Sequence, residues 1–196
     1  MEGIWLVSYI ILWLLVLGLG VLVFLLYRQL GILYLGSAEG VSRDGLAVGT
    51  AAPDFSLGDQ YGNTQRLSDY RGKPTFLVFG SPSCTPCRVL LPQMDDWAAA
   101  HPEVGVLWLN AANPDESTKY ASDMGATLPV VAHTPDQKLP ERYHVRVTPF
   151  SFLLDQDGII RTKGLVNSKA GLDLYYKEFK TGKRPDTEQP VAQSAN

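Results

Sequence analysis

Cysteine is nearly absent from this chain: its 196 residues hold two, Cys84 and Cys87. That excludes a scaffold stapled by several disulfides, and a single CxxC supplies too few ligands for a zinc site. Histidine is equally scarce. His101, His133 and His144 are widely spaced, with no Cys or Asp at metal-ligand spacing, so they read as surface or hydrogen-bonded side chains and no metal is expected. No cluster of Lys or Arg occurs in a chain of formal net charge −3, which argues against nucleic acid as a partner. No internal repeat is present, and no charged residue lies between Glu2 and Arg28.

What fills that uncharged interval is apolar. Ile4 to Tyr27 is broken only by Ser8, Gly18 and Gly20, and Trp5, Tyr9 and Tyr27 stand near its ends as interfacial anchors. At 1.5 Å per residue the run reaches about 35 Å, against a bilayer core of about 30 Å. It is too long for a signal-peptide core, has no Lys or Arg before it, and no A-x-A site follows promptly, so residues 4–27 read as a retained transmembrane helix. A buried soluble helix would show a polar face, and none is present. Orientation stays open. Arg28 after the span and Glu2 before it weakly favour a cytoplasmic domain, whereas disulfide chemistry belongs mostly outside the cytoplasm.

Residues 28–47 read as a linker interrupted by Gly31, Gly36, Gly40 and Gly45, with Gln29 to Leu35 able to extend the helix. Residues 181–196, rich in Lys, Pro, Gln, Thr and Ser, read as a disordered tail. Between them, residues 48–180 form one domain in which apolar patterns alternate in type. Thr75 to Phe79, Val104 to Leu109, Leu128 to Ala132 and Phe150 to Leu154 have the look of buried strands, and Ile159 to Lys163 after Asp155-Gln156-Asp157-Gly158 closes a hairpin. Helices are predicted over Cys84 to Ala100, Pro114 to Met124, Gln137 to Tyr143 and Lys169 to Lys180, the second announced by Asn113-Pro114-Asp115-Glu116. The fold class is therefore α/β: parallel strands joined by helices and closed by an antiparallel hairpin.

Cys84-Thr85-Pro86-Cys87 falls at a strand-to-helix junction, where the first thiolate meets the positive end of the helix dipole. A dithiol redox site is the expected result, with Cys84 as attacking thiolate and Cys87, one turn on and inward, as resolving thiol. A purely structural bridge is a poor alternative, since so short a loop constrains little of the unfolded chain. Pro86 stiffens the first turn and Pro92 is expected to kink the helix. Asp95-Asp96 reads as a solvated face, Arg88 as a cation beside the thiols or a solvated one, and Trp97 and Trp108 as core.

The ordered motifs Val48-Gly49-Thr50-Ala51-Ala52-Pro53-Asp54-Phe55, Leu67-Ser68-Asp69-Tyr70-Arg71-Gly72-Lys73, Ser83-Cys84-Thr85-Pro86-Cys87, Val147-Thr148-Pro149 and Phe152-Leu153-Leu154-Asp155 resemble the membrane-anchored thioredoxins of the TlpA/ResA group. The resemblance implies a thioredoxin-like fold, a central mixed sheet flanked by helices, and thiol–disulfide exchange without a cofactor. It implies a cis Pro149, Thr148 pairing with the client backbone, and Thr85 and Pro86 lining the client site. It also implies a single-pass anchor in the inner membrane, the domain on the periplasmic side, exported proteins with thiols or disulfides as clients, and a membrane-embedded redox partner. Arg28-Gln29-Leu30-Gly31-Ile32-Leu33 and Ser81-Pro82-Ser83-Cys84 with Leu90-Leu91-Pro92 are similar to the narrower MauD group of methylamine-utilisation accessory proteins, which would make methylamine dehydrogenase the client.

Alternatives are a cytochrome c maturation reductant, a non-catalytic holding factor, and a peroxiredoxin-like peroxidase. The last shares the stretch Val48 to Lys73 but would need a Thr-x-x-Cys, where Ser81 and Cys84 stand three residues before the two cysteines. The chain departs from the group at Ser83, where Trp is common and an N-cap is expected instead, and at Val78 and Leu90, where acidic residues serve the resolving thiol.

Overall fold

The computed structural model describes residues 2–182. It divides into two compact units meeting at Arg43 and Asp44. The first is a single helix, α1 (Glu2–Arg43). Its apolar stretch Val7–Leu25, 19 residues with no charge, spans about 28 Å and fits a single-pass membrane anchor. The helix runs on to Arg43 through most of the segment expected to be a linker. No proline occurs before Pro53, and an isolated glycine costs a helix only about 1 kcal/mol, so nothing stops it earlier. Of the tail expected over 181–196, Thr181 ends the last helix and Gly182 caps it in the left-handed region at φ 64°; the rest lies outside the described residues.

The second unit is built on a five-stranded sheet of β3 (Thr75–Gly80), β4 (Gly105–Ala111), β5 (Val130–His133), β6 (Phe150–Leu154) and β7 (Ile160–Leu165), in the order β5-β4-β3-β6-β7. β3 is parallel to β4 and β4 to β5, while β6 pairs antiparallel with both β3 and β7. The sheet is mixed because parallel neighbours are linked by helical crossovers and the last two strands by the five-residue link Asp155 to Ile159. The crossovers are α2 (Thr85–Ala100) and α3 (Pro114–Met124), and the chain ends on α5 (Lys169–Thr181).

β3 and β6 are buried along their whole length, as their unbroken apolar runs require. On one face Phe76, Val78, Trp108 and Val130 pack against Cys87, Leu90, Leu91 and Trp97 of α2, Tyr120 of α3 and Leu172 of α5. The other face packs Leu77, Phe79, Leu109 and Phe152 under Phe55, Leu67 and Tyr143. Two elements differ from expectation there. β1 (Ser56–Gly58) and β2 (Thr64–Arg66) form a small antiparallel ribbon, which strands of three residues do not announce. The helix expected over Gln137 to Tyr143 is a 3₁₀ turn, Pro135–Gln137, and a four-residue α4 (Leu139–Arg142), separated by Lys138 at φ 48°. Gln137 is spent on closing a capping box with Thr134, and Pro140 withholds an amide, so one continuous helix cannot form.

The ribbon secures the β5 margin of the sheet. Asp59 bridges to Val131, and the Gln60 side chain donates to Leu128 O (2.9 Å) and accepts from Val130 N (2.7 Å), behaving as a short stretch of strand. At the opposite margin Ala51 bridges to Ile159, and Ile160 N donates to Thr50 O (2.9 Å).

Candidate functional site: the Cys84–Cys87 pair at the head of α2

β3 ends at Gly80, and Ser81 to Ser83 turn the chain into α2. The N-cap is Cys84 itself, not Ser83: its Sγ accepts from Cys87 N at 3.2 Å. Ser83 is unable to cap because it lies outside the turn, its hydroxyl hydrogen-bonded to that of Ser81 (2.8 Å). The first sulfur thus sits where the unpaired amides of the first helical turn and the positive end of the dipole favour a thiolate.

Cys84 and Cys87 are joined as a disulfide, their Cα atoms 5.2 Å apart. Cys84 is half-buried and Cys87 is completely buried. Thr85, Pro86, Arg88 and Val89 are exposed around them. α2 continues through Pro92 without interruption.

The Thr148–Pro149 peptide bond is cis. In the β3–β6 register Phe79 faces Phe150, so the residue after the last paired position of β3 is Gly80, which leads into Ser81 to Ser83, and the residue before the first paired position of β6 is Pro149. Sheet pairing therefore delivers the cis-proline loop to the end of the sheet where α2 starts. Thr148 is exposed there and Pro149 buried.

Beneath this junction the packing is tight. A Cβ on Gly80 would stand 2.2 Å from Trp108 Cζ2 and 2.9 Å from Trp108 Nε1, so only glycine lets the loop settle on the indole. Val78 and Leu90 are wholly buried. Nearby, three buried polar atoms have no hydrogen-bond partner among the described residues: Trp108 Nε1, Asn110 Oδ1 and Tyr120 Oη. Each such group ordinarily costs about 1–3 kcal/mol. Burial pushes the Tyr120 phenol up to about 12, with the Arg88 charge pulling slightly the other way. Gly80 is legible as a site residue from its place before Ser81; Asn110 and Tyr120 carry no local signal, because only tertiary packing brings them here.

The remaining candidates are scattered. His101 stacks on Trp97 with ring centroids 4.0 Å apart, His133 is buried against Phe79 on the opposite face, and His144 is exposed at φ 55°. Trp97 and Trp108 are both fully buried, and Trp97 Nε1 donates to Asp173 (2.7 Å). Asp95 is not part of a solvated face: its carboxylate accepts from Thr127 N (3.0 Å) and Leu128 N (2.6 Å), tying α2 to the chain entering β5, while Asp96 is exposed. The acidic pair looked uniform in sequence, but successive helical residues point 100° apart, so only one can meet that loop. Ser81, three residues before Cys84, turns its hydroxyl to Ser83, and no threonine occupies the position that peroxide chemistry would require.

Comparison with known proteins agrees with this geometry. The AhpC/TSA family model matches residues 48–163. The methylamine utilization protein MauD of Paracoccus denitrificans is 31% identical over 93% of this chain and 92% of its own. The thiol-disulfide oxidoreductase ResA of Geobacillus kaustophilus is 40% identical over 59% of this chain and 68% of its own. Among solved structures, the pneumococcal exposed lipoprotein thioredoxin Etrx1 of Streptococcus pneumoniae aligns with a TM-score of 0.58 at 28% identity, covering 64% of this chain and 99% of that one. With a dithiol pair heading a helix on a thioredoxin-like sheet, and relatives of this kind over most of its length, the chain belongs to the AhpC/TSA family and is one of its thiol–disulfide oxidoreductases.

Proposed function

We propose that the chain exchanges disulfides with exported proteins from a membrane tether, Cys84 being the nucleophile and Cys87 the resolving thiol. The unequal burial of the pair carries this reading: a client sulfur has access to Cys84, while Cys87 is reachable only by Cys84. In the reducing direction the Cys84 thiolate attacks a client disulfide and forms a mixed disulfide. Cys87 then attacks Cys84 Sγ, closing the Cys84–Cys87 bond and releasing the client as a thiol. In the oxidising direction the same steps run backwards. Thr148, exposed on the cis-proline loop, offers its backbone to an extended client, Thr85 and Pro86 complete the surface, and the buried Pro149 shapes the loop beneath it.

The domain acts on the periplasmic side of the inner membrane in this reading, drawing or delivering electrons through a membrane-embedded partner. Likeness to MauD over nearly the whole chain, apolar helix included, supports maturation of methylamine dehydrogenase as the specific task. Cys87→Ala tests it. The variant should accumulate a mixed disulfide on Cys84 in cells, and mass spectrometry of the adduct names the client. A subunit of methylamine dehydrogenase supports the narrower reading, and an apocytochrome c replaces it with cytochrome maturation. Absence of any adduct that depends on Cys84 refutes exchange altogether. A periplasmic alkaline-phosphatase fusion after residue 182 should be active; an inactive fusion with normal expression refutes the orientation.

A further inference from the structure

The three unpartnered atoms lie along one seam. Trp108 and Asn110 are two residues apart on β4 and face the same side of the sheet, the side that holds Cys87 and Val78. Asn110 Nδ2 donates to Ser117 Oγ of α3 at 2.7 Å, leaving Oδ1 without a donor, and Tyr120 stands one turn further along α3 on the same face. At the other end, Trp108 Nε1 reaches Gly80, four residues before Cys84, and Tyr120 responds to the charge of Arg88, the residue after Cys87. An indole N–H, a phenol and an amide oxygen, each buried on this face without a partner among the described residues, are the kind of polar groups that a buried water satisfies with its two to four hydrogen bonds.

Cys87 needs such a site. Its thiol is buried, Val78 and Leu90 are apolar neighbours, and none of the buried residues on this face is a carboxylate. Besides carboxylates, the titratable or charged groups around the face include Cys84 and Arg88 of α2, His101 stacked on Trp97 at its far end, Tyr120 of α3, and Tyr175, Tyr176 and Lys180 of α5. The carboxylates that bond to residues on or beside this face are engaged there: Asp95 by Thr127 and Leu128, Glu103 by Tyr176, and Asp173 by Trp97.

We propose that Trp108, Asn110 and Tyr120 hold a water-mediated proton path to the resolving thiol Cys87. The proposal rests on the exchange reading above. As Cys87 attacks Cys84 Sγ, its proton is relayed through the water in the seam to bulk solvent, the Cys84–Cys87 bond forms, and the bond from Cys84 to the client sulfur breaks. The client leaves with that electron pair as a thiolate and is protonated from solvent. In reverse, a client thiolate attacks Cys84 Sγ, and Cys87 departs as a thiolate that takes a proton relayed from solvent through the seam. Tyr120 thus acts through water and not as the base itself.

The test uses the full chain in detergent, reduced and then loaded with glutathione disulfide, and tracks release of glutathione from Cys84 between pH 7 and pH 10. Tyr120→Phe keeps the ring and removes only the hydroxyl. It should slow release about tenfold at pH 7 and approach the wild-type rate at pH 10, equivalent to raising the Cys87 pKa by about one unit. Thiolate absorbance of Cys87 in the Cys84→Ala background should show the same rise. Asn110→Leu should give the same pH-dependent loss, and serves if Tyr120→Phe fails to give a folded near-ultraviolet dichroism spectrum. Equal rates in wild type and variant at pH 7, or slowing by one factor at every pH, overturn the proton path while exchange stands. A wild-type chain that forms no mixed disulfide with glutathione overturns exchange and the path together.

Discussion

Replacing His133 with phenylalanine should remove a pH dependence built into the opposite face of the sheet. His133 is 3% exposed at the end of β5, its ring 6.1 Å from that of Phe79. Burial lowers its pKa from 6.5 to about 4, with the Glu141 charge opposing only in part. The unfolded chain therefore binds a proton between those values that the folded chain refuses. Stability from this source is complete above pH 6.5 and is lost as pH falls toward 4. Linkage puts the loss between pH 7.5 and pH 5 at about 2 kcal/mol, of a total near 3 kcal/mol. Urea unfolding of the detergent-solubilised protein, monitored by tryptophan fluorescence, measures it. Wild type should lose that amount over the interval and His133→Phe, which keeps an aromatic ring on Phe79, should lose little. Carboxylates whose pKa is lowered in the fold do not enter at pH 5, since they give up stability only at more acid pH. Identical losses in the two proteins would refute the assignment of a buried neutral imidazole.

Asp95→Ala strips two backbone amides of their acceptor and should cost about 1–3 kcal/mol by urea unfolding, with Asp95→Asn recovering part of it. Gly80→Ala drives a methyl group into Trp108, which has no room to move, and should destabilise by about 1–3 kcal/mol while changing the near-ultraviolet dichroism; a silent substitution would contradict the close approach. Burial raises the Asp155 carboxyl, but hydrogen bonds from Ile159 N, Arg161 and Asp157 N outweigh it and hold its pKa below the ordinary value. Its contribution is present above the unfolded carboxylate pKa and fades as pH falls through the lowered one, so Asp155→Asn should flatten acid unfolding below about pH 4.

Much of the fold was legible wherever the signal is local. Asn113-Pro114-Asp115-Glu116 marks the start of α3, and Asn113 Oδ1 does accept from Glu116 N at 2.9 Å. The hairpin turn before β7 is equally readable, because Asp155 Oδ1 accepts from Asp157 N and Ile159 N, both at 2.9 Å. The cysteines are legible because helix geometry alone separates an outer from an inner sulfur over three residues. The illegible parts depend on contacts distant in sequence. The β1–β2 ribbon gains its stability from Gln60 bonding to residues 128 and 130, and Asp95 finds its donors 32 and 33 residues away. The polar seam beside Cys87 is of the same kind, assembled from residues unremarkable in themselves.

The sheet margins have a consequence for life among unfolded chains. An exchanger of this kind meets partners whose backbones are extended and unpaired, the condition under which an open strand recruits a stranger by edge-on pairing. Here the β5 margin is already occupied by Asp59 and Gln60, the β7 margin starts under Thr50 and Ala51, and Arg161 and Lys163 place charge along the remainder of β7. Aggregation through the sheet is thereby discouraged, and the proposed client contact, Thr148, is left exposed because it precedes an inner strand, β6, instead of lying along a flank. In the function proposed above, a client held there for one round of chemistry has nowhere to continue zipping.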